Sequence, residues 1–147
     1  MAVEAVAAAS GPFVDNDYCF ACGTRNPLGL HLKFAREGEL YVTRVRPLPH
    51  WQGWDNVLHG GLQATIMDDL MSNHLFQVYQ AFAVTAEMKL RFRRPVPLDC
   101  ELRFASRLER RAGKVWELAA TCATVAAPDA ALSTAQGRFL EVPPPAR

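Results

Sequence analysis

Two adjacent carboxylates, Asp68 and Asp69, interrupt an otherwise apolar run that follows the glycine pair Gly60 and Gly61. At 100° per residue, Leu62, Ala64, Ile66, Met67, Leu70, Met71, Leu75 and Val78 cover well over half of a helix circumference, the pattern of a helix enclosed by other structure. Thr65, Asp68, Asp69 and Ser72 occupy the remaining arc as one polar strip. The glycines open this helix, where backbone N–H groups lack intrahelical partners and the macrodipole is positive. Without a Cβ, they let a ligand come close to the backbone. Such donors combined with a carboxylate suit acyl-group hydrolysis, which needs a hole for a developing O⁻ and a base or nucleophile. The plainer reading of the same residues is a solvated helix edge that follows a tight turn.

A second chemistry is raised by Cys19-x-x-Cys22-Gly23, the spacing of a zinc knuckle. A second ligand pair is missing, since Cys100 and Cys122 are isolated and fall at apolar positions of strands. No metal is therefore expected, and no βαβ pattern surrounds the pair to suggest redox chemistry. The segment reads as a turn that tucks the N-terminal part of the chain against the sheet, with Asn26-Pro27-Leu28-Gly29 as turn chemistry leading into a strand. His50 and His59 read as structural histidines that hold the loop before the helix.

The elements that must position these groups follow from periodicity. A strand is expected over Leu30 to Phe34, turned back by Arg36-Glu37-Gly38 onto a hairpin partner from Leu40 to Arg46. An aromatic loop then runs from Pro47 to Asn56, and the helix is expected to reach about Gln80. Beyond it, Ala86, Met88, Leu90 and Phe92 alternate with Glu87, Lys89, Arg91 and Arg93, and Cys100, Leu102, Phe104 and Leu108 alternate with charged residues. Arg110 to Gly113 reads as a hairpin loop into Val115 to Val125, and Pro128-Asp129 turns the chain into Leu132 to Val142. Strands with one apolar face form an antiparallel sheet that must cover something, and the long apolar helix is what there is to cover. The expectation is an α+β fold, a curved antiparallel sheet of five or six strands wrapped around one central helix.

Composition bounds the rest. The 147 residues form one expected domain, 1–147, with 1–11 a loose terminus. Sixteen basic against fifteen acidic residues, without long runs of either sign, leave no dedicated nucleic-acid surface. Arg91, Arg93 and Arg94 are the densest basic group and read first as solvated side chains. No signal h-region and no membrane-length apolar stretch is present, so a cytoplasmic protein is expected.

Taken together, Cys19-Phe20-Ala21-Cys22-Gly23, Asn26-Pro27-Leu28-Gly29-Leu30, His59-Gly60-Gly61 with Asp68, and Val84-Thr85-Ala86-Glu87 leading to Arg94-Pro95-Val96-Pro97-Leu98 resemble the hotdog-fold acyl-CoA thioesterases of the phenylacetate-pathway and hydroxybenzoyl-CoA types. The resemblance runs over most of the chain. It implies that Gly60 polarises the thioester carbonyl, that Asp68 is base or nucleophile, and that Thr85 assists it. His59, Gly61 and Gln52 are the implied substrate-binding residues. The implied partner is a coenzyme A thioester, with no cofactor, no metal, no nucleic acid and no membrane. Strand parity, however, puts Thr85 with Glu87, opposite the core face. The chain also carries Asp69 where relatives have Glu, and a bulky run from Ser72 to Phe76 where they have small residues.

Geometry bears on assembly as well. Eight residues of regular helix separate Gly60 from Asp68 by ~12 Å along the axis, yet both must come within about 3–3.5 Å of one carbonyl. The site is therefore expected to combine Gly60 of one chain with Asp68 of another, in a homodimer or a dimer of dimers. A non-catalytic acyl-CoA binding protein and a hotdog hydratase or dehydratase stay open as alternatives. A hydratase needs a histidine acting with the carboxylate, and His74 falls on a different arc from Asp68.

Overall fold

Alternating side chains put apolar residues on one face of each long strand, and that face closes around the chain's long apolar helix. The computed structural model describes residues 16–145, so the expected loose terminus over 1–11 lies outside the described residues. Strands β1 (Phe34–Glu37) and β2 (Leu40–Val45) form the first hairpin, followed by a single 3₁₀ turn at Pro49–Trp51 and helix α1 (Gly60–Tyr79). Strands β3 (Ala83–Phe92), β4 (Leu102–Ala112), β5 (Val115–Thr124) and β6 (Ser133–Glu141) complete the chain. All six strands join one antiparallel sheet in the order β1-β2-β4-β5-β6-β3. This is the hotdog fold expected from the pattern, with six strands.

Ile66, Met67, Leu70, Met71 and Leu75 of α1 are fully buried against Phe104, Leu118, Ala120, Cys122 and Phe139 of the sheet. Burial of this kind stabilises by roughly 1.5–3 kcal/mol per large aliphatic side chain, which outweighs the polar interruptions in the helix. Gln80 ends α1 in a left-handed conformation (φ 56°), and its N–H closes onto the Leu75 carbonyl. Among the described residues, no helix is long and apolar enough to cross a membrane.

Three expected elements differ. The strand placed over Leu30 to Phe34 begins only at Phe34, because His31 sits at φ 53° and a strand does not run through a left-handed residue. Extended pairing then continues to Glu37, and the turn falls at Gly38-Glu39, where Gly38 takes φ 62°. Cys100 precedes β4 rather than lying within it, although Cys122 is buried in β5 as expected. The turn at Cys19 to Gly23 packs on α1, on Leu30 to Leu32 and beside Ala83 at the start of β3: the Leu30 and Leu32 N–H groups donate to the Phe20 and Ala21 carbonyls, at 2.8 and 2.9 Å.

Strand β3 is one of the sheet's two edges, β1 being the other, and among the described residues it is paired on one side only. Its Phe92, on the apolar face expected to be core, is 54% exposed, and Val84, on the outer face opposite exposed Leu140, is 45% exposed. Ten residues of unpaired edge with exposed apolar side chains form a template for another strand.

Candidate active site

Two backbone contacts fix the start of α1. The Leu58 N–H donates to the Val96 carbonyl at 2.8 Å, and the His59 N–H donates to the Trp51 carbonyl at 2.9 Å. The Pro95-Val96-Pro97 segment and the aromatic loop thus hold the turn from opposite sides, with Val96 fully buried. His59 is the N-cap, its Nδ1 accepting from the Gly61 N–H at 2.9 Å. Accepting at Nδ1 leaves Nε2 to carry the hydrogen of the neutral ring. The Gly61 N–H is therefore committed to the cap, and the donor role shared between the two glycines in the sequence reading falls to Gly60. As first residue of the helix, Gly60 has no intrahelical acceptor for its N–H. Its open Cα face looks onto the Phe92 ring, which a Cβ would meet at 3.4 Å.

Asp68 lies two turns along α1, facing β3. Thr85 donates its hydroxyl to Asp68 Oδ1 at 2.6 Å, a length typical of a bond to a carboxylate. Simple strand parity put Thr85 on the wrong face, and the correction comes from a β-bulge. Thr85 pairs with Phe139 and Glu87 with Arg138, leaving Ala86 as an extra residue. Beyond the bulge, Met88 pairs with Gly137, so Thr85 and Met88 share the inner face although they are three residues apart. Ala64, Thr65, Asp68, Thr85, Ala86, Glu87 and Met88 line an open groove of about 340 Å³ between the helix and the edge strand. Gln52 lies elsewhere, beside the His59 turn, where its Oε1 accepts from the Asn56 N–H at 3.3 Å and residue 52 bridges Leu58.

The strip read as one row along the helix is in fact split. Thr65 and Asp68 face the groove, whereas Asp69, Ser72, Asn73 and Phe76 line a different cavity of about 130 Å³ with Asn16, Cys19, Cys22, Phe82 and Ala83. Cys19 Sγ donates to Asp69 Oδ1 at 3.4 Å. Burial holds the Asp69 carboxyl above the ordinary carboxylate range, partly offset by bonds from Cys22 and Cys19, with the Asp68 charge adding to the rise. Burial also pushes the Cys22 thiol up, reinforced by the negative charge of Asp69. The sequence pattern groups Asp69 with Asp68 on one polar strip and does not show this contact with a cysteine pair fifty residues earlier. Only the split of Asp69 from Asp68 was signalled, since consecutive helix residues project 100° apart and cannot share one face.

His74 is buried at 1% exposure, packed against the Tyr41 and Tyr79 rings, with Nδ1 2.9 Å from Ser106 Oγ. It does not line the groove, in keeping with its separate arc. Arg91, Arg93 and Arg94 are exposed, and the first two border a depression on the outer sheet face with Lys89 and Arg107.

Comparison with known proteins bears on the family and the fold. Residues 55–122, which carry the helix start, Asp68 and Thr85, match the family model of the thioesterase superfamily. No curated protein matches the sequence. Among solved structures, a thioesterase superfamily protein superposes with a TM-score of 0.77 at 19% identity, covering 92% of this chain and 70% of the other. Zebra fish thioesterase superfamily member 2 gives 0.72 at 11% identity, covering 86% and 94%. A hypothetical thioesterase from Streptococcus pneumoniae TIGR4, solved with coenzyme A, gives 0.69 at 10% identity, covering 78% and 91%. The family match and the shared fold bear out the resemblance to the thioesterase superfamily.

Proposed function

We propose that this protein, a hotdog chain with a segment of the thioesterase superfamily, hydrolyses an acyl-CoA thioester to the free acid and CoA. The carrying observation is the Thr85 hydroxyl at 2.6 Å from the Asp68 carboxylate, in an open groove on the sheet's unpaired edge. Thr85 occupies one carboxylate oxygen and fixes the other toward the groove, where it acts on a water or on the thioester carbon itself. The Gly60 N–H, at the positive end of α1, supplies the hydrogen bond that strengthens as the carbonyl oxygen becomes an oxyanion. His59 acts by holding that turn, and Gln52 braces the loop behind it.

One chain supplies only half of this. Gly60 and Asp68 stand ~12 Å apart along one regular helix, so the reaction centre is assembled from Gly60 of one protomer and Asp68 of another. The unpaired β3 edge, with the groove along it and exposed Phe92 beside Gly60, is the surface on which the second copy docks. The functional unit is a homodimer, alone or within a dimer of dimers. It needs no cofactor for this chemistry, because carboxylate, hydroxyl and backbone donor together provide base or nucleophile, positioning and oxyanion stabilisation.

The test is incubation with a panel of aromatic and aliphatic acyl-CoAs and a chromogenic thiol reagent. Hydrolysis releases a free thiol, whereas a hydratase changes the acyl group without releasing one, and a binding protein shifts melting temperature without turnover. Asp68→Asn keeps the side-chain shape and should lower kcat by at least ~10²-fold. Near-normal turnover in that variant refutes the assignment.

A further inference from the structure

Cys19 and Cys22 hang from one tight turn, and α1 presents Asp69 to both. We propose that these three residues form a binding site for a zinc-class divalent cation, open at its fourth position. The sulfur atoms and a carboxylate oxygen all lie within 4.8 Å of one another. Tetrahedral zinc, with bonds of about 2.3 Å to sulfur and about 2.0–2.2 Å to oxygen, sets ligand-to-ligand edges of roughly 3.5–3.8 Å. The Cys19 Sγ to Asp69 Oδ1 separation of 3.4 Å is already close to such an edge. A second cysteine pair at ligand spacing is missing from the sequence. The third donor is a carboxylate from the helix, invisible to a search for cysteine and histidine spacing.

The neighbouring donors suit a metal-bound thiolate. The Cys22 N–H points at Cys19 Sγ at 3.4 Å, and the side-chain amides of Asn16 and Asn73 point at Cys22 Sγ at 3.7 and 3.9 Å. Three N–H donors directed at two sulfurs are an outer shell that supports metal-bound thiolate, a far better acceptor than a thiol. Asn73 is itself anchored by donating to the Asp69 carbonyl at 2.8 Å. Asp69 Oδ2 is buried without any hydrogen-bond partner among the described residues, an orphan that a cation satisfies. The turn leaves no slack: a Cβ on Gly23 would stand 2.4–2.6 Å from the backbone of Asp17 and Cys19. Beside the three ligands, the cavity of about 130 Å³ has room for a water or small anion as the fourth ligand. Two thiolates with one carboxylate favour zinc over magnesium or calcium, which prefer all-oxygen sites. On binding, the two thiol protons leave to solvent, and no electron is transferred.

The full chain is purified under reducing conditions without chelator, its metal content measured, and the stripped protein titrated with Zn²⁺ against a chromophoric competitor and, separately, with Co²⁺. About one zinc per chain is expected, with a thiolate-to-cobalt charge-transfer band. Asp69→Asn should weaken zinc binding by at least ~10-fold, Cys22→Ser should reduce the band, and Cys100→Ser should change neither. Should Cys22→Ser fail to fold, the wild-type titrations decide. Less than a tenth of an equivalent of zinc taken up, with no charge-transfer band, overturns the site. These readouts follow the metal and not thioester turnover, so they stand or fall separately from the proposed hydrolase activity.

Discussion

Mixing two inactive variants gives the sharpest test of a site shared between chains. Gly60→Pro removes the proposed oxyanion donor, and proline is tolerated in the first turn of a helix. The space is there too, since a Cβ at residue 60 would only touch the Phe92 ring, at 3.4–3.5 Å. Losing one oxyanion donor costs about 10²–10³ in kcat, and Asp68→Asn costs at least ~10², so each homodimer alone is nearly silent. Because ~12 Å of helix separates the two positions, no single chain can place both at one carbonyl. A heterodimer then holds one site with both mutations and one with neither. Random exchange makes half of the dimers mixed, each with one good site of two, so turnover should recover to about a quarter of wild type. Variants are combined at equal concentration after brief destabilisation, exchange is confirmed by native mass spectrometry, and thiol release is followed. Confirmed exchange without recovery refutes the shared site and the inference of an obligate oligomer with it.

Two further outcomes follow from specific contacts. Thr85→Val removes the 2.6 Å bond to Asp68 and should lower kcat about tenfold or more with KM little changed, the effect of losing ~1.5 kcal/mol of charge-assisted bonding; steady-state kinetics with unchanged kcat would remove Thr85 from the mechanism. Burial, and secondarily the Arg36 charge, lower the His74 imidazole from 6.5 to about 4. The folded state then binds fewer protons than the unfolded chain between those values, so His74 contributes stability that is fully present above about pH 6.5 and lost as pH falls toward about 4, with a slope of at most ~1.4 kcal/mol per pH unit. Urea midpoints measured across this window should fall with pH in the wild type and less steeply in His74→Gln; equal slopes would contradict the buried neutral imidazole.

The fold was legible because its two periodicities are clean. Leu62 to Val78 reads at helical spacing, and Leu102 to Leu108 and Trp116 to Cys122 read at period two; each maps onto the element observed. What misled was local. His31 at φ 53° cut the first strand short, and nothing about a histidine within an alternating run announces a left-handed backbone. Ala86 created the larger difference. A bulge is a property of the pairing between two strands, here β3 with β6, so one strand's sequence gave no reason to break parity at Thr85. His59 does hold the turn before the helix, as its reading as a structural histidine implies, but its N-cap role was not legible. Histidine is not a preferred N-cap residue, and only the position of its ring beside the Gly61 N–H reveals the role. Asp69 with Cys19 and Cys22 joins groups fifty residues apart in sequence, a distance that periodicity does not bridge.

Asp68 and Asp69 also show why contacts remote from the groove matter to it. The two side chains leave the helix 100° apart, so one meets β3 and the other the cysteine turn, and α1 couples them as a rigid body. A carboxylate about 6 Å from the helix axis moves by roughly 2 Å when the helix rotates by ~20°, whereas misplacement of ~1 Å at a reacting group can cost 10²-fold in rate. The rotational setting of α1 is therefore part of the chemistry. It is fixed at the start by the Leu58 to Val96 bond and the His59 cap, and midway by Thr85 on one side and Cys19 on the other. Its far end is fixed by Gln80 closing onto Leu75. Of these restraints only the Cys19 contact has no part in the groove or in the ends of the helix. A cation bridging Asp69 to Cys19 and Cys22 would convert that weak thiol contact into a bonded anchor, holding Asp68 in register with Thr85 from the opposite side of the helix.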